Sequence, residues 1–395
     1  MWWPAGRVVR QQPDARVDRQ VNASALLPRL RSVRDRIVAD VAELVACESP
    51  SDNVAAIAAC VELVGELGRE LTGAAPQLCT EGGRAHLLWR LGGPTQVLLV
   101  GHCDTVWPVG TVARWPFSID GDRATGPGVF DMKAGLVQMF HALGVLDDLT
   151  GVTVLVTSDE EIGSPTSRAL IEREAAGARA ALVLEASADG ALKVARKGVS
   201  LYQLAVRGRA AHAGLEPESG INASIELAHQ VLSIAALADL SGTSTVTPTV
   251  LRSGNTSNTV PDHAEVSVDV RVETEMDQRR IDVAMHSLRP VLNGAQLAVH
   301  GGVNRPPLSK ESSRELFALA SRVAENMGIG PLRSASVGGA SDGNFTAGVG
   351  TPTLDGLGAV GGHAHAEGEW ASVRAMPDRA ALLARLIDVV RTDLW

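Results

Sequence analysis

The sequence predicts an α/β fold, a mixed sheet with helices on both faces, into which a ferredoxin-like α+β unit is inserted. Three observations predict it. Short apolar runs at 97–100, 152–157 and 181–184 each end in polar residues and alternate with helical periodicity, as strands buried on both sheet faces do. Near Lys197 the pattern switches to strand, helix, strand, strand, helix, strand over about 100 residues, the ferredoxin-like order at a plausible domain size. The chain, at 395 residues, is also too long for one ordinary core.

In order, residues 1–24 are rich in Arg and Gln without a continuous apolar run, so they read as a disordered tail and not a secretion signal. Val33, Ile37, Val41, Leu44 and Val45 recur at helical spacing over 32–47, and a second helix covers 53–70. A strand at 86–90 precedes the three apolar runs, and 132–146 reads as a helix between the first two of them. Within the insertion, strands fall at 199–206, 246–251, 264–272 and 296–300, and helices at 220–237 and 277–288. After Arg305-Pro306-Pro307 a helix covers 311–327, and a last one starts at Asp378. This divides the chain into a domain of 25–196 with 306–395 and an insertion of 197–305.

Composition narrows the function. Net charge is −9, basic residues are scattered and aromatics are 3%, which argues against nucleic-acid binding. The core must come mainly from Ala, Val and Leu. No apolar stretch reads as a membrane span. Cys47, Cys60, Cys79 and Cys103 form no CxxC pair and suit reduced, structural thiols, so a cytoplasmic location is expected.

Five clusters carry chemistry. His102 and Asp104 follow an apolar strand two apart, on one side of an extended chain, where a carboxylate can orient a metal-binding imidazole; HxD is also a common hydrogen-bonded strand end. Asp131, in GPGVFDMKAG, is either a helix N-cap or a carboxylate bridging two metals. Asp159-Glu160-Glu161 end a buried strand, either as a solvated turn or as metal ligand and proton acceptor at the strand's carboxyl end. Glu185 in LEAS ends another strand. The His363–Glu369 stretch is a His-rich loop, either a surface feature or a metal site. Together two His and three carboxylates suit zinc, with cobalt or manganese compatible.

The ordered strings HCDTV, GPGVFDMKAG, TSDEEIGS, LEAS and HAEGE resemble those of the dinuclear zinc aminoacylase, carboxypeptidase G and acetylornithine deacetylase superfamily, over about residues 30 to 392. The resemblance implies a zinc-peptidase-like catalytic domain with two Zn2+ per subunit. It implies that His102 and Glu185 complete one metal's shell and Glu161 and His365 the other's, with Asp131 bridging. Asp104 would orient His102, and Glu160 would be the general base. Glu369, a few residues beyond, selects His365 over His363.

The resemblance also implies that 197–305 is a lid and dimerisation domain. His212, in GRAAHAG, would reach the partner subunit's active site of a homodimer and bind the oxyanion. Asn258 and Arg271 would bind substrate, Arg271 pairing a carboxylate through its planar fork. Arg305 and the glycine-rich 338–343 loop would also touch substrate. With RKG, these strings point to the glutamate carboxypeptidase branch, acting on N-acyl or peptidyl amino acids with a free carboxylate. A biosynthetic N-deacylase of acetylornithine or succinyl-diaminopimelate type shares all five ligands. A non-catalytic binding homologue should have lost a ligand or Glu160, and none is missing.

Overall fold

The computed structural model describes residues 23–240 and 242–392. The expected tail lies outside them, except for its last two residues, which open the first helix, Ala23–Ser32.

The central sheet has six strands, in the order Gln77–Glu81, Arg84–Arg90, Val152–Thr157, Val97–His102, Ala180–Val183 and Thr353–Leu354. The first two joins are antiparallel and the remaining three parallel, so the sheet is mixed. Side chains alternate between two cores, as strand geometry requires. Leu87, Trp89, Val97, Leu99, Val154 and Val156 share a core with the helices Arg34–Ala46, Val54–Thr72, Ala134–Gly144 and Ala375–Arg391. Leu88, Leu98, Val100, Leu155 and Val183 pack on the opposite face with Leu170 and Ile171 of helix Arg168–Ala175 and with Phe345. Double-sided burial explains why these strands read as continuous apolar runs.

Residues 198–305 form a separate four-stranded sheet, ordered Thr245–Ser253, His263–Val272, Gly198–Arg207, Gln296–Arg305 and antiparallel throughout. Helices Ala223–Ala235 and Glu275–His286 complete the βαββαβ order, and Leu204, Val206, Leu227, Ile234, Val268, Ile281 and Met285 form its own core. Asn222 caps the first of these helices, accepting from the Ser224 and Ile225 amides.

One expectation changes here. The helical stretch Ala223–Leu240 is, by length and composition, apolar enough to cross a membrane. In this structure its Ala223, Leu227 and Ile234 pack on the sheet, and buried Glu226 accepts from the Val291 and Leu292 amides.

The last strand also runs past the predicted end at residue 300. Gly301, at φ 90°, crosses the neighbouring strand where a Cβ would overlap the Leu201 carbonyl. The strand therefore continues to Arg305. Asn304 donates to the Gly163 carbonyl at 3.2 Å, and Arg168 donates to the Asn304 carbonyl at 3.1 Å. These contacts bring the end of the small sheet against the acidic turn of the large one.

Candidate metal centre

The five predicted ligands converge. His102 is the last residue of its strand, Glu160 and Glu161 lie in the turn directly after Val152–Thr157, and Glu185 is two residues beyond Ala180–Val183. These strands are parallel neighbours, so their carboxyl ends open on one side, where ligand sites of α/β sheets form. The Leu184-Glu185 backbone is pressed between Gly135 and Gly358, where a Cβ on either would overlap the Leu184 carbonyl.

Asp131 sits in the turn Val129–Lys133 with extended backbone, φ −118° and ψ 95°. Lys133, and not Asp131, precedes helix Ala134–Gly144, so the N-cap alternative is not realised. His365 comes from the loop between Gly361–Gly362 and Trp370–Ser372.

Asp131 divides its two oxygens. Oδ1 lies 3.2 Å from His102 Nε2, and Oδ2 lies 3.3 Å from His365 Nε2. His102 Nε2 is also 3.5 Å from Glu185 Oε1, while His365 Nε2 is 3.1 Å from Glu161 Oε2. Two half-sites thus share one carboxylate. Glu161 Oε1 is buried without a hydrogen-bond partner, although its other oxygen belongs to the cluster. An orphaned carboxylate oxygen, nitrogen ligands and crowded carboxylates fit a pair of divalent cations. The residues that would hold them are His102, Glu185 and Asp131 for one, and Asp131, Glu161 and His365 for the other. Ligand atoms of His102, Glu160 and Glu185 also lie within 4.8 Å of one another, which puts Glu160 beside the first half-site.

Protein charges alone set a strong field. Burial opposes protonation of His102, but Asp104, Asp131 and Glu185 outweigh it and hold the ring well above its ordinary range. Hydrogen bonds to Asp131 and Glu161 raise His365 to about 10. Burial pushes Glu160 well above the usual carboxylate range, against the pull of Arg305. These are the opposed shifts that desolvation and close partners produce at functional sites.

The surrounding contacts refine the predicted roles. His102 Nδ1 is 2.9 Å from the Asp104 main-chain oxygen and 3.4 Å from its carboxylate, so the backbone carbonyl is the nearer orienting group. The Asp104 carboxylate instead accepts from the Glu160 and Glu161 amides, both at 3.2 Å, and from Ser51 Oγ. It therefore also fixes the turn that carries the proposed base. Arg305 is buried and donates to Glu160 Oε1 at 3.0 Å, to Ser164 Oγ at 2.8 Å and to Asp342 Oδ1 at 3.3 Å. Its guanidinium is engaged by Glu160, a partner that the sequence did not suggest.

Arg196 is a further residue that sequence reasoning missed. It forms two 2.8 Å bonds to Asp355 and one of 3.2 Å to Glu185 Oε2, all three side chains being buried. Its only signal in the sequence is a lone Arg within RKG. Removing one partner of a buried ion pair leaves the others uncompensated. We therefore expect Arg196→Met to lower unfolding free energy by about 3–5 kcal/mol in denaturant titration.

Three predicted residues stand away from this cluster. His212 and Asn258 are exposed, with His212 Nδ1 accepting from the Gly214 amide and the Asn258 carbonyl accepting from Ala213. Arg271 makes two 2.8 Å bonds to Asp269. Among the described residues no hydrogen bond or ion pair is found between any of these three and the five ligands.

Comparison with known proteins agrees with this geometry. Residues 98–389 match the model of peptidase family M20/M25/M40. The chain is 33% identical over 309 residues to carboxypeptidase G2 of Pseudomonas sp. (strain RS-16), covering 75% of this chain and 74% of that protein. It is 26% identical over 322 residues to the succinyl-diaminopimelate desuccinylase of Wolinella succinogenes, covering 77% and 84%. An M20 family metallo-carboxypeptidase from Sulfolobus solfataricus superimposes with a TM-score of 0.70 at 16% identity, covering 90% of this chain and 99% of that one. A dinuclear metal-binding M20 peptidase from Bacillus subtilis gives 0.61 at 16% identity, covering 92% and 99%. The chain belongs to peptidase family M20/M25/M40 and is a metal-dependent hydrolase of that family.

Proposed function

We propose that the chain is a glutamate carboxypeptidase-like enzyme, hydrolysing the amide bond of an N-acyl or peptidyl amino acid that bears a free carboxylate. The observation that carries the hydrolytic part is Asp131 presenting one oxygen to each of two His/Glu pairs. Two divalent cations, zinc being our assignment, would supply Lewis-acid chemistry when held by these residues. Glu160 would accept a proton from the attacking water and pass it to the leaving nitrogen. His102, Glu161, Glu185 and His365 hold the centre, and Asp104 keeps the base and its neighbouring ligand in register. The likeness to carboxypeptidase G2 supports the carboxylate requirement.

Arg271 is our candidate for that carboxylate. Segment 197–305 would act as lid and dimerisation domain, bringing Arg271 and Asn258 to substrate and His212 to the partner subunit's site. Exposed Ile225, Leu232, Val250 and Leu251 support pairing of this segment in a homodimer, which sizing in solution tests.

The test is a panel of N-acyl amino acids and dipeptides beside their C-terminal amides. Free acids are expected to react at least about 10-fold faster, since a hydrogen bond to a charged group contributes about 1.5–3 kcal/mol. Arg271→Ala should lower kcat/KM for the acids by about 10–100-fold and leave the amides nearly unchanged. Equal rates for acids and amides would remove the carboxylate assignment. The likeness to the desuccinylase supports a second reading, a biosynthetic deacylase, so N-succinyl and N-acetyl diamino acids belong in the panel.

A further inference from the structure

We propose that Glu369 is a positioning residue that fixes the bridging carboxylate of Asp131 and the ligand His365 relative to each other. Its side chain is fully buried. Oε1 accepts from the amides of Phe130 at 2.8 Å and Asp131 at 2.9 Å. Oε2 accepts from the Gly128 amide at 3.0 Å and from Trp107 Nε1 at 2.8 Å. All four partners are donors with nothing to accept a proton, so the site matches an ionised carboxylate and no neutral side chain of that length. Burial holds the carboxyl above the usual carboxylate range, against the opposing pull of the four donors.

The same residue closes the His365 loop. Its amide donates to the Ala366 carbonyl at 3.1 Å, and the next residue, Trp370, enters a strand paired with Gly362 and Thr125. The His365 side chain is half exposed, whereas His102 and Glu185 are buried and held by Asp104 and Arg196. Without Glu369, the half-site of His365 and Glu161 would lose its tie to Asp131, while the half-site of His102 and Glu185 would keep its own supports.

This inference rests on the metal-centre reading, and one experiment separates the two. Cobalt(II) is titrated calorimetrically into the dialysed full-length chain and into Glu369→Gln. In the variant, the amide nitrogen must face two N–H donors or face away from them. We expect its weaker binding step to lose about 10–100-fold in affinity, the range for groups that support metal ligands, while the tighter step stays within about threefold. Trp107→Phe removes one donor of the four and should move the same step by about threefold or more. It carries the test if Glu369→Gln does not fold. Unchanged binding in both variants, or equal weakening of both steps, overturns the proposal for Glu369. A wild-type chain that binds no cobalt overturns the metal-centre reading instead.

Discussion

Glu160→Gln should lower kcat by about 10²–10⁴-fold, the usual contribution of general acid–base catalysis, while the metal content stays at the wild-type level. The geometry separates these two properties. The Glu160 amide donates to Asp104, its carbonyl accepts from Arg305, and its Oε1 accepts from Arg305. A Gln retains all three bonds and the side-chain shape. What it loses is the ability to take a proton from water. Because Glu160 also lies within ligand distance of His102 and Glu185, the experiment has a clear alternative. If metal is lost together with turnover, Glu160 is a ligand and the base is elsewhere. Rates at saturating substrate and elemental analysis of the same preparation decide it.

Asp131→Ala should have the second large effect, and it should reach both cations. Each Asp131 oxygen faces a different imidazole, so one substitution takes one ligand from each half-site. Structural zinc sites bind with about 10–16 kcal/mol, and a quarter share corresponds to about 10²–10³-fold in affinity at each half-site. Asp131→Asn keeps one strong acceptor and should retain the better-supported half-site. Competition with a chromophoric chelator measures both variants. Loss of only one cation in Asp131→Ala would mean that the carboxylate does not bridge.

Much of this was legible in sequence, for physical reasons. The central strands are buried on both faces and so appear as unbroken apolar runs that end where the candidate ligands sit. The small sheet has one buried face, and Val266, Val268 and Val270 alternate with Ser267 and Asp269 accordingly. Strand Gln77–Glu81 was missed because it is an edge strand with little burial, so it has no period to detect. Helix Arg168–Ala175 was missed because only Leu170, Ile171, Glu174 and Ala175 are buried in a short charged segment. The strand extension to Arg305 was hidden by Gly301-Gly302, which reads as a turn in isolation.

Within the site, the five candidate ligands were legible as an ordered set, although Asp131 alone looked like a helix cap. The supporting groups were not. Arg196, Asp342, Asp355 and Glu369 each have a bonded partner more than 100 residues away in sequence, and no local pattern records such contacts. Arg305 was found as a residue but with another partner. The resemblance implied contact with substrate, and the structure shows its guanidinium bonded to Glu160 and Asp342.

The central claim is a paired centre built on a shared Asp131. Equilibrium dialysis of the purified chain against zinc, followed by elemental analysis, tests it most directly. A bridging Asp131 predicts about two equivalents per chain in the wild type, with both half-sites weakened in Asp131→Ala. A wild-type content of none or one, or an Asp131→Ala variant that still holds both equivalents tightly, would contradict it.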